Sequence, residues 1–284
     1  MKRNLFGLVV IACCLLASCQ STSPLNPTPI PSSTDAQTLS GHISIAGSTT
    51  ILPLMKDLSA AFASAYPNIS IEVDGGGSSV GVNATAEGKV NIGMVSREIN
   101  VSELAAFPDL LVYTIALDGI AIIVNHDVTI NTLTIDQLRA IYNGQLHTWA
   151  EVGGPDQEII LIAREEGSGT RTAFEQWVTG SGVSLPERTI LLPSSSAVLT
   201  TVATTPFSIG YISFGYLDNS IKSLQINGIE PTEENLLAAV YPIYHPLNLV
   251  TKGEPSEVEQ AFFEFIASPE GQAIISQEKY VPVN

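Results

Sequence analysis

Three times in this chain a short strand-like run passes through a turn of Gly, Ser and Thr into a helical pattern. HISIA leads to Gly47-Ser48-Thr49-Thr50 and then ILPLMKDLSAAFASAY; NISIEV leads to GGGSSVG, from Gly75 to Gly81, and a short helical stretch. The apolar run Ile159 to Ala163 leads through Arg164, Glu165 and Glu166 to Gly167-Ser168-Gly169-Thr170, then to a helix with Phe174, Trp177 and Val178 on one face. A chain that repeats strand, turn and helix in this way is confined to an α/β fold with a largely parallel sheet. At each turn the first helical N–H groups have no partner inside the helix, and the macrodipole presents its positive end. Small residues let a ligand come close, so each turn is a seat for an anion, and three could converge on one. Arg164 at a strand end and Arg171 in the first helical turn add guanidinium groups suited to a tetrahedral oxyanion.

The remaining pattern agrees. Strands are predicted at His42 to Ala46, Ile69 to Val73, Asn91 to Val95, Leu111 to Ala116, Gly119 to Asn125 and Ser208 to Ser213. Helices are predicted from Ile51 to Ala65 and from Ser195 to Ala203, and after the capping-box pairs Thr134 with Gln137 and Ser256 with Glu259. Ser268-Pro269 opens a last helix, with proline at its favoured first position. At 284 residues with 45% apolar content the chain can bury one large core or two smaller ones.

The N-terminus reads differently. Lys2 and Arg3 precede an apolar run, Leu5 to Ala17, too short to span a bilayer and laid out as a secretory signal over residues 1–18. Leu16-Ala17-Ser18-Cys19 resembles the lipobox of bacterial lipoproteins, which implies that Cys19 carries the lipid and that Cys13 and Cys14 leave with the signal. Residues 19–40, rich in Ser, Thr, Pro and Gln, read as a disordered tether. Loss of residues 1–18 takes two from the 12 basic residues, leaving 10 against 28 acidic ones, a net of −18. A nucleic-acid partner is therefore not expected, and local donors must hold any anion against a repelling global field.

Enzyme chemistry finds no support. Gly167-Ser168-Gly169 lacks the Gly-x-Ser-x-Gly spacing of a hydrolase elbow, and neither glycine-rich turn matches a nucleotide-binding loop. His42, His126, His147 and His245 are scattered without metal-ligand spacing and read as structural or solvated. No catalytic residue, metal or cofactor is expected. Trp149 and Trp177 read as core or lobe-packing residues.

GSTTILPL at Gly47, GGGSSVG at Gly75, VNIGMVSRE at Val90, LDGIAIIVN at Leu117, REEGSGTRTAFE at Arg164, IGYISFGYL at Ile209 and YPIYHPLNLVTKG at Tyr241 form an ordered set. Together with the closing SPEGQ helices, they resemble the phosphate-binding lipoproteins of bacterial phosphate ABC importers over nearly all of residues 41–284. The resemblance implies a two-lobed periplasmic-binding-protein fold of type II, with a mixed, mostly parallel sheet in each lobe and a ligand cleft between them. Residues 41–120 with 218–284 would form one lobe and 121–217 the other, with crossings near Leu117 to Val124 and Gly210 to Leu217.

It also implies Thr49, Thr50, Ser78, Ser79, Arg164, Ser168, Gly169 and Thr170 as ligand-binding residues, with Ser96, Arg97, Glu166 and Arg171 as further candidates. Some members carry an aspartate where Arg97 stands, to accept the proton that phosphate keeps and sulfate lacks. Asp74, Glu98, Glu165 and Glu166 are the substitutes expected here, and Arg97 can equally pair with Glu98 or another neighbour. The expected partners are inorganic phosphate, an ABC permease and, through the lipid, the outer face of the cell membrane, with the protein a monomer. The alternatives are another tetrahedral oxyanion (sulfate, molybdate or tungstate) and a non-transport role, as a surface lipoprotein that senses phosphate or binds a macromolecule through the same cleft.

Overall fold

The computed structural model describes residues 38–283. The expected signal, Cys19 and the tether to residue 37 lie outside them. Leu39, assigned to the tether, packs against the first hydrophobic core. No described helix is long and apolar enough to cross a membrane.

In chain order the strands are β1 Gly41–Gly47, β2 Ile69–Gly75, β3 Ile92–Val95, β4 Leu110–Val124, β5 Thr132–Leu133, β6 Ile160–Arg164, β7 Ile190–Leu192, β8 Ser208–Ser213, β9 Lys222–Ile226, β10 Tyr244–Lys252 and β11 Val281–Pro282. The main path of hydrogen-bonded neighbours runs β2-β1-β3-β10-β4-β8-β6-β7. At one flank β2, β1 and β3 are parallel, and at the other so are β8, β6 and β7. The centre is antiparallel, because β10 runs against both β3 and β4, and β4 against β8 and β9. The sheet is therefore mixed, with its parallel parts outside.

Two large cores lie along this path. One gathers Ile43, Ile45, Leu54, Leu58, Phe62, Ile92, Met94, Leu247, Leu249, Phe262 and Ile275. The other gathers Ile120 to Val124, Leu138, Tyr142, Trp149, Leu161, Phe174, Val198, Ile209 and Tyr211. Their side chains are fully or almost fully removed from water, which at about 25 cal/mol per Å² of apolar surface makes burial the main stabilising term in each lobe.

Capping fixes several helix starts as expected. Thr134 and Gln137 form a reciprocal box before Ile135–Tyr142, Ser256 and Glu259 another before Glu257–Ala267, and Ser268 caps Pro269–Gln277. Strands and helices at the three turns also match, with helices Leu52–Ala65, Ser78–Ala86 and Gly169–Trp177.

Two expectations need correction. The two strands predicted around Leu117 are one continuous strand, β4, whose first half lies in the first lobe and whose second half lies in the other. The return crossing is not near Gly210 to Leu217, since β8 is buried in the second core throughout. Ile221, Leu224, Ile226, Leu236, Tyr241 and Ile243 also belong to that core, so residues 218–243 pack with the second lobe and the chain returns in β10. Of the two tryptophans expected in a core or in lobe packing, Trp149 is fully buried in the second core, and Trp177, 40% exposed and so not in a core, packs on Tyr244 of β10 at 5.0 Å between rings.

Candidate functional site

The three Gly/Ser/Thr turns meet where the two lobes face each other. From the first lobe, the turn after β1 carries Thr49 and Thr50, and two phenols, half-buried Tyr216 and buried Tyr280, hold its backbone. Tyr216 donates to the Thr49 carbonyl at 2.6 Å and Tyr280 to the Thr50 carbonyl at 3.0 Å. Burial pushes Tyr216 up to about 12, with the Arg164 charge drawing it back and Asp118 adding to the rise, so it remains a donor at neutral pH. Ser48 accepts from the Thr50 N–H and donates to Ser96 Oγ at 2.8 Å, which ties the first turn to the end of β3. Ser78, first residue of its helix, accepts from the Ser96 N–H at 3.0 Å. Ser78 and Ser96 are both fully buried.

From the second lobe come Arg164, the last residue of β6, and Ser168, Gly169 and Thr170 at the start of helix Gly169–Trp177. Ser168 is the N-cap and accepts from the Arg171 N–H. Contacts across the gap are direct: Thr50 Oγ1 and Thr170 Oγ1 are 2.7 Å apart, and the Ser79 N–H donates to the Gly167 carbonyl at 3.1 Å. Two glycines permit this approach. Gly77 has φ +89, and a Cβ there would lie 3.2 Å from the Gly167 carbonyl oxygen. At Gly169 a Cβ would overlap Ser78 Oγ and come within 2.6 Å of both Ser96 O and Ser96 Oγ.

Arg164 dominates the electrostatics. It is only 2% exposed, and its guanidinium donates to Thr49 Oγ1 at 3.1 Å, Ser195 Oγ at 3.2 Å, Pro193 O at 3.0 Å and Leu192 O at 3.2 Å. All four acceptors are neutral, and among the described residues no carboxylate forms an ion pair with it. Burial lowers its pKa from the ordinary arginine value, opposed by the charge of exposed Glu165 and by Tyr211 and Tyr216. A buried cation with neutral partners alone is costly, and an anion between the lobes would relieve that cost.

The other expected charges are otherwise engaged. Arg97 is buried, but its guanidinium grips Glu103 through two bonds of 2.7 and 2.8 Å and reaches Ser79 Oγ only at 3.4 Å. The ion pair expected with Glu98 or a neighbour is thus made with partly exposed Glu103, six residues on, while Glu98 receives only a bond at its backbone carbonyl, 2.9 Å. Arg171 pairs with Glu175 at 2.7 Å on its own helix and braces the Arg164 carbonyl at 3.2 Å. Asp74, Glu98, Glu165 and Glu166 are all exposed, so none lies buried among the site hydroxyls. His42, His126 and His147 are exposed, whereas His245 is buried between the Ser96 carbonyl and Asp118.

Sequence reasoning missed Ser48, Asp118, Ser195, Tyr216 and Tyr280. Ser195 had a readable signal: β7, then Pro193-Ser194-Ser195-Ser196, then helix Ser195–Thr204 make a fourth strand-to-helix turn of small hydroxylated residues. Ser48 sits within the first Gly/Ser/Thr turn, whereas Asp118, Tyr216 and Tyr280 are brought in by tertiary packing.

Comparison with known proteins agrees with this geometry. The profile of the PBP superfamily domain matches residues 32–270. The phosphate-binding protein PstS of Bacillus subtilis is 30% identical over 288 residues, covering 100% of this chain and 95% of that protein. The chain belongs to the PstS family of phosphate-binding proteins. Among solved structures, a phosphate ABC transporter substrate-binding protein from Clostridium perfringens with bound phosphate is similar at 37% identity and a TM-score of 0.83, covering 86% of this chain and 100% of that one. An ABC-type phosphate transport receptor from Vibrio cholerae is similar at 31% identity and a TM-score of 0.71, over 85% of this chain and all of that one. PstS-type proteins are extracytoplasmic substrate-binding components of transport systems, and this chain shares their two-lobed α/β fold.

Proposed function

We propose that this protein captures inorganic phosphate between its lobes and delivers it to the membrane permease of an ABC importer, acting as a binding protein and not as an enzyme. The observation that carries the reading is Arg164: a buried guanidinium with neutral partners, ringed by hydroxyls of Thr49, Thr50, Thr170 and Ser195 from both lobes. Thr49 Oγ1 already accepts from Arg164 and from the Ser195 N–H, so its own hydrogen is free to donate to a ligand. With Ser78, Ser168 and the N–H groups of Gly169 and Thr170, such donors can replace the hydration of a phosphate dianion at about 1.5–3 kcal/mol per charge-assisted bond. The relatives named for phosphate binding support the choice of ligand.

Attachment through Cys19 at the outer face of the cell membrane, with the folded part a monomer held by the tether, completes the proposal. It rests on the sequence of residues 1–40.

A second reading, capture of sulfate, molybdate or tungstate, is favoured by one observation: all four expected acceptor carboxylates are exposed, and the buried carboxylate of Asp118 is engaged by His245 and the Phe214 N–H. Equilibrium dialysis of ligand-stripped protein with labelled phosphate, in competition with each of these anions, separates the two. The proposal expects one phosphate per chain, displaced only by a large excess of the others. Absence of phosphate binding, or displacement by equimolar sulfate, would sink it.

A further inference from the structure

Ser195 is the first residue of the ten-residue helix Ser195–Thr204 and is 2% exposed. The helix does not need its hydroxyl, because the N-cap is Ser194, whose side chain accepts from the Ala197 N–H at 3.1 Å. The Ser195 hydroxyl is instead spent on the site. It accepts from Arg164 Nη1 at 3.2 Å and lies 3.3 Å from Thr50 Oγ1. The backbone N–H of the same residue, one of those with no partner inside the helix, is directed at Thr49 Oγ1 at 3.4 Å. One residue of the second lobe therefore touches the buried cation of its own lobe and both threonines of the opposite one.

We propose that Ser195 is a positioning residue for anion capture: it fixes the Arg164 guanidinium from one side and draws Thr49 and Thr50 of the other lobe onto it. The inference rests on the reading of Arg164 as the charge that meets the anion. Because the contacts to Thr49 and Thr50 join the lobes, they exist only while the lobes are together, and a bound anion leaves only when they break. Loss of the hydroxyl contact to Thr50, with the backbone contact to Thr49 kept, acts on the dissociation rate, while the approach of the anion to the open cleft is unchanged.

The test compares the full-length parent with Ser195→Ala, Ser195→Thr and, as a control one residue away on the exposed side, Ser196→Ala. Phosphate affinity is measured by calorimetry, phosphate release by stopped flow, and ligand-free stability by thermal melting. The expected result for Ser195→Ala is a Kd raised about tenfold to a hundredfold, as for the loss of a hydrogen bond to a charged group. The rise should appear in koff, with kon within about threefold and the ligand-free Tm within about 2 °C of the parent. Ser195→Thr, which keeps the hydroxyl, should recover most of the affinity, and Ser196→Ala should match the parent. Unchanged Kd and koff in Ser195→Ala would overturn the inference while leaving phosphate capture standing, as would a loss that merely follows a lowered ligand-free Tm. A parent that binds no phosphate would overturn both.

Discussion

His245 stands directly across the β4–β10 ladder from Asp118, with its imidazole Nε2 2.8 Å from the carboxylate Oδ2. The other ring nitrogen, Nδ1, lies 2.6 Å from the Ser96 carbonyl, which can only accept, so Nδ1 carries a hydrogen. Asp118 is fully buried, and its second oxygen accepts from the Phe214 N–H at 3.2 Å. The pair lies where both strands pass between the two cores, so one polar contact joins both crossings to the residue that anchors Ser78.

Breaking that pair should be costly. Asp118→Ala strands a buried imidazole and an unpaired Phe214 N–H, and a loss of about 3–5 kcal/mol is expected. Denaturant unfolding of the ligand-free protein measures it. A loss below about 1 kcal/mol, the range of an exposed pair, would mean that the contact does not hold the crossing.

Arg97 and Glu103 should make stability depend on acid. Burial opposes ionisation of Glu103, but the bonds from Arg97 and the Asn100 N–H, with the Arg97 charge, outweigh it and hold its pKa below the ordinary 4.5. A carboxyl with a depressed folded-state pKa contributes stability that is complete above its unfolded value and lost as pH falls through the folded one. Thermal melts of the parent and Glu103→Gln should therefore differ at neutral pH and converge in acid. A gap that stays constant from neutral to about pH 3 would rule out the pair as its source.

Gly169→Ala should weaken ligand binding far more than folding. The added Cβ would overlap Ser78 Oγ and crowd the Ser96 backbone across the interlobe gap, and the lobes can relieve this by parting. Overpacking of about 1–3 kcal/mol corresponds to roughly 5- to 150-fold in phosphate Kd. The ligand-free Tm should hold or rise slightly, since alanine is the better helix former. Calorimetry and melting of the same preparation check both, and parental affinity would show that the loops do not approach so closely in solution.

Much of this was legible locally. The three strand-to-helix turns, the capping boxes at Thr134 and Ser256 and the position of Arg164 follow from period and residue chemistry within a few residues, and the structure places them as read. What stayed hidden depends on partners far along the chain. Asp118 looked like a break between two strands because its partner His245 lies 127 residues away. The return crossing near Gly210 to Leu217 came from the family resemblance alone, and the strand that makes it, β10, carries Pro246 in its interior, where a proline argues against a strand. It is tolerated there in register with Leu117, next to the His245–Asp118 pair. Arg97 was weighed against its neighbour Glu98, but the two-pronged geometry of Glu103 captured the guanidinium instead.

The central claim is that the buried charge of Arg164 is held for phosphate between the lobes. Calorimetric titration of the ligand-stripped parent and of Arg164→Met with phosphate tests it most directly, with melting of both to show that they are folded. One phosphate per parent chain, and an affinity at least about a hundredfold weaker in the variant, is the predicted result. A folded Arg164→Met protein that binds phosphate as tightly as the parent would contradict it.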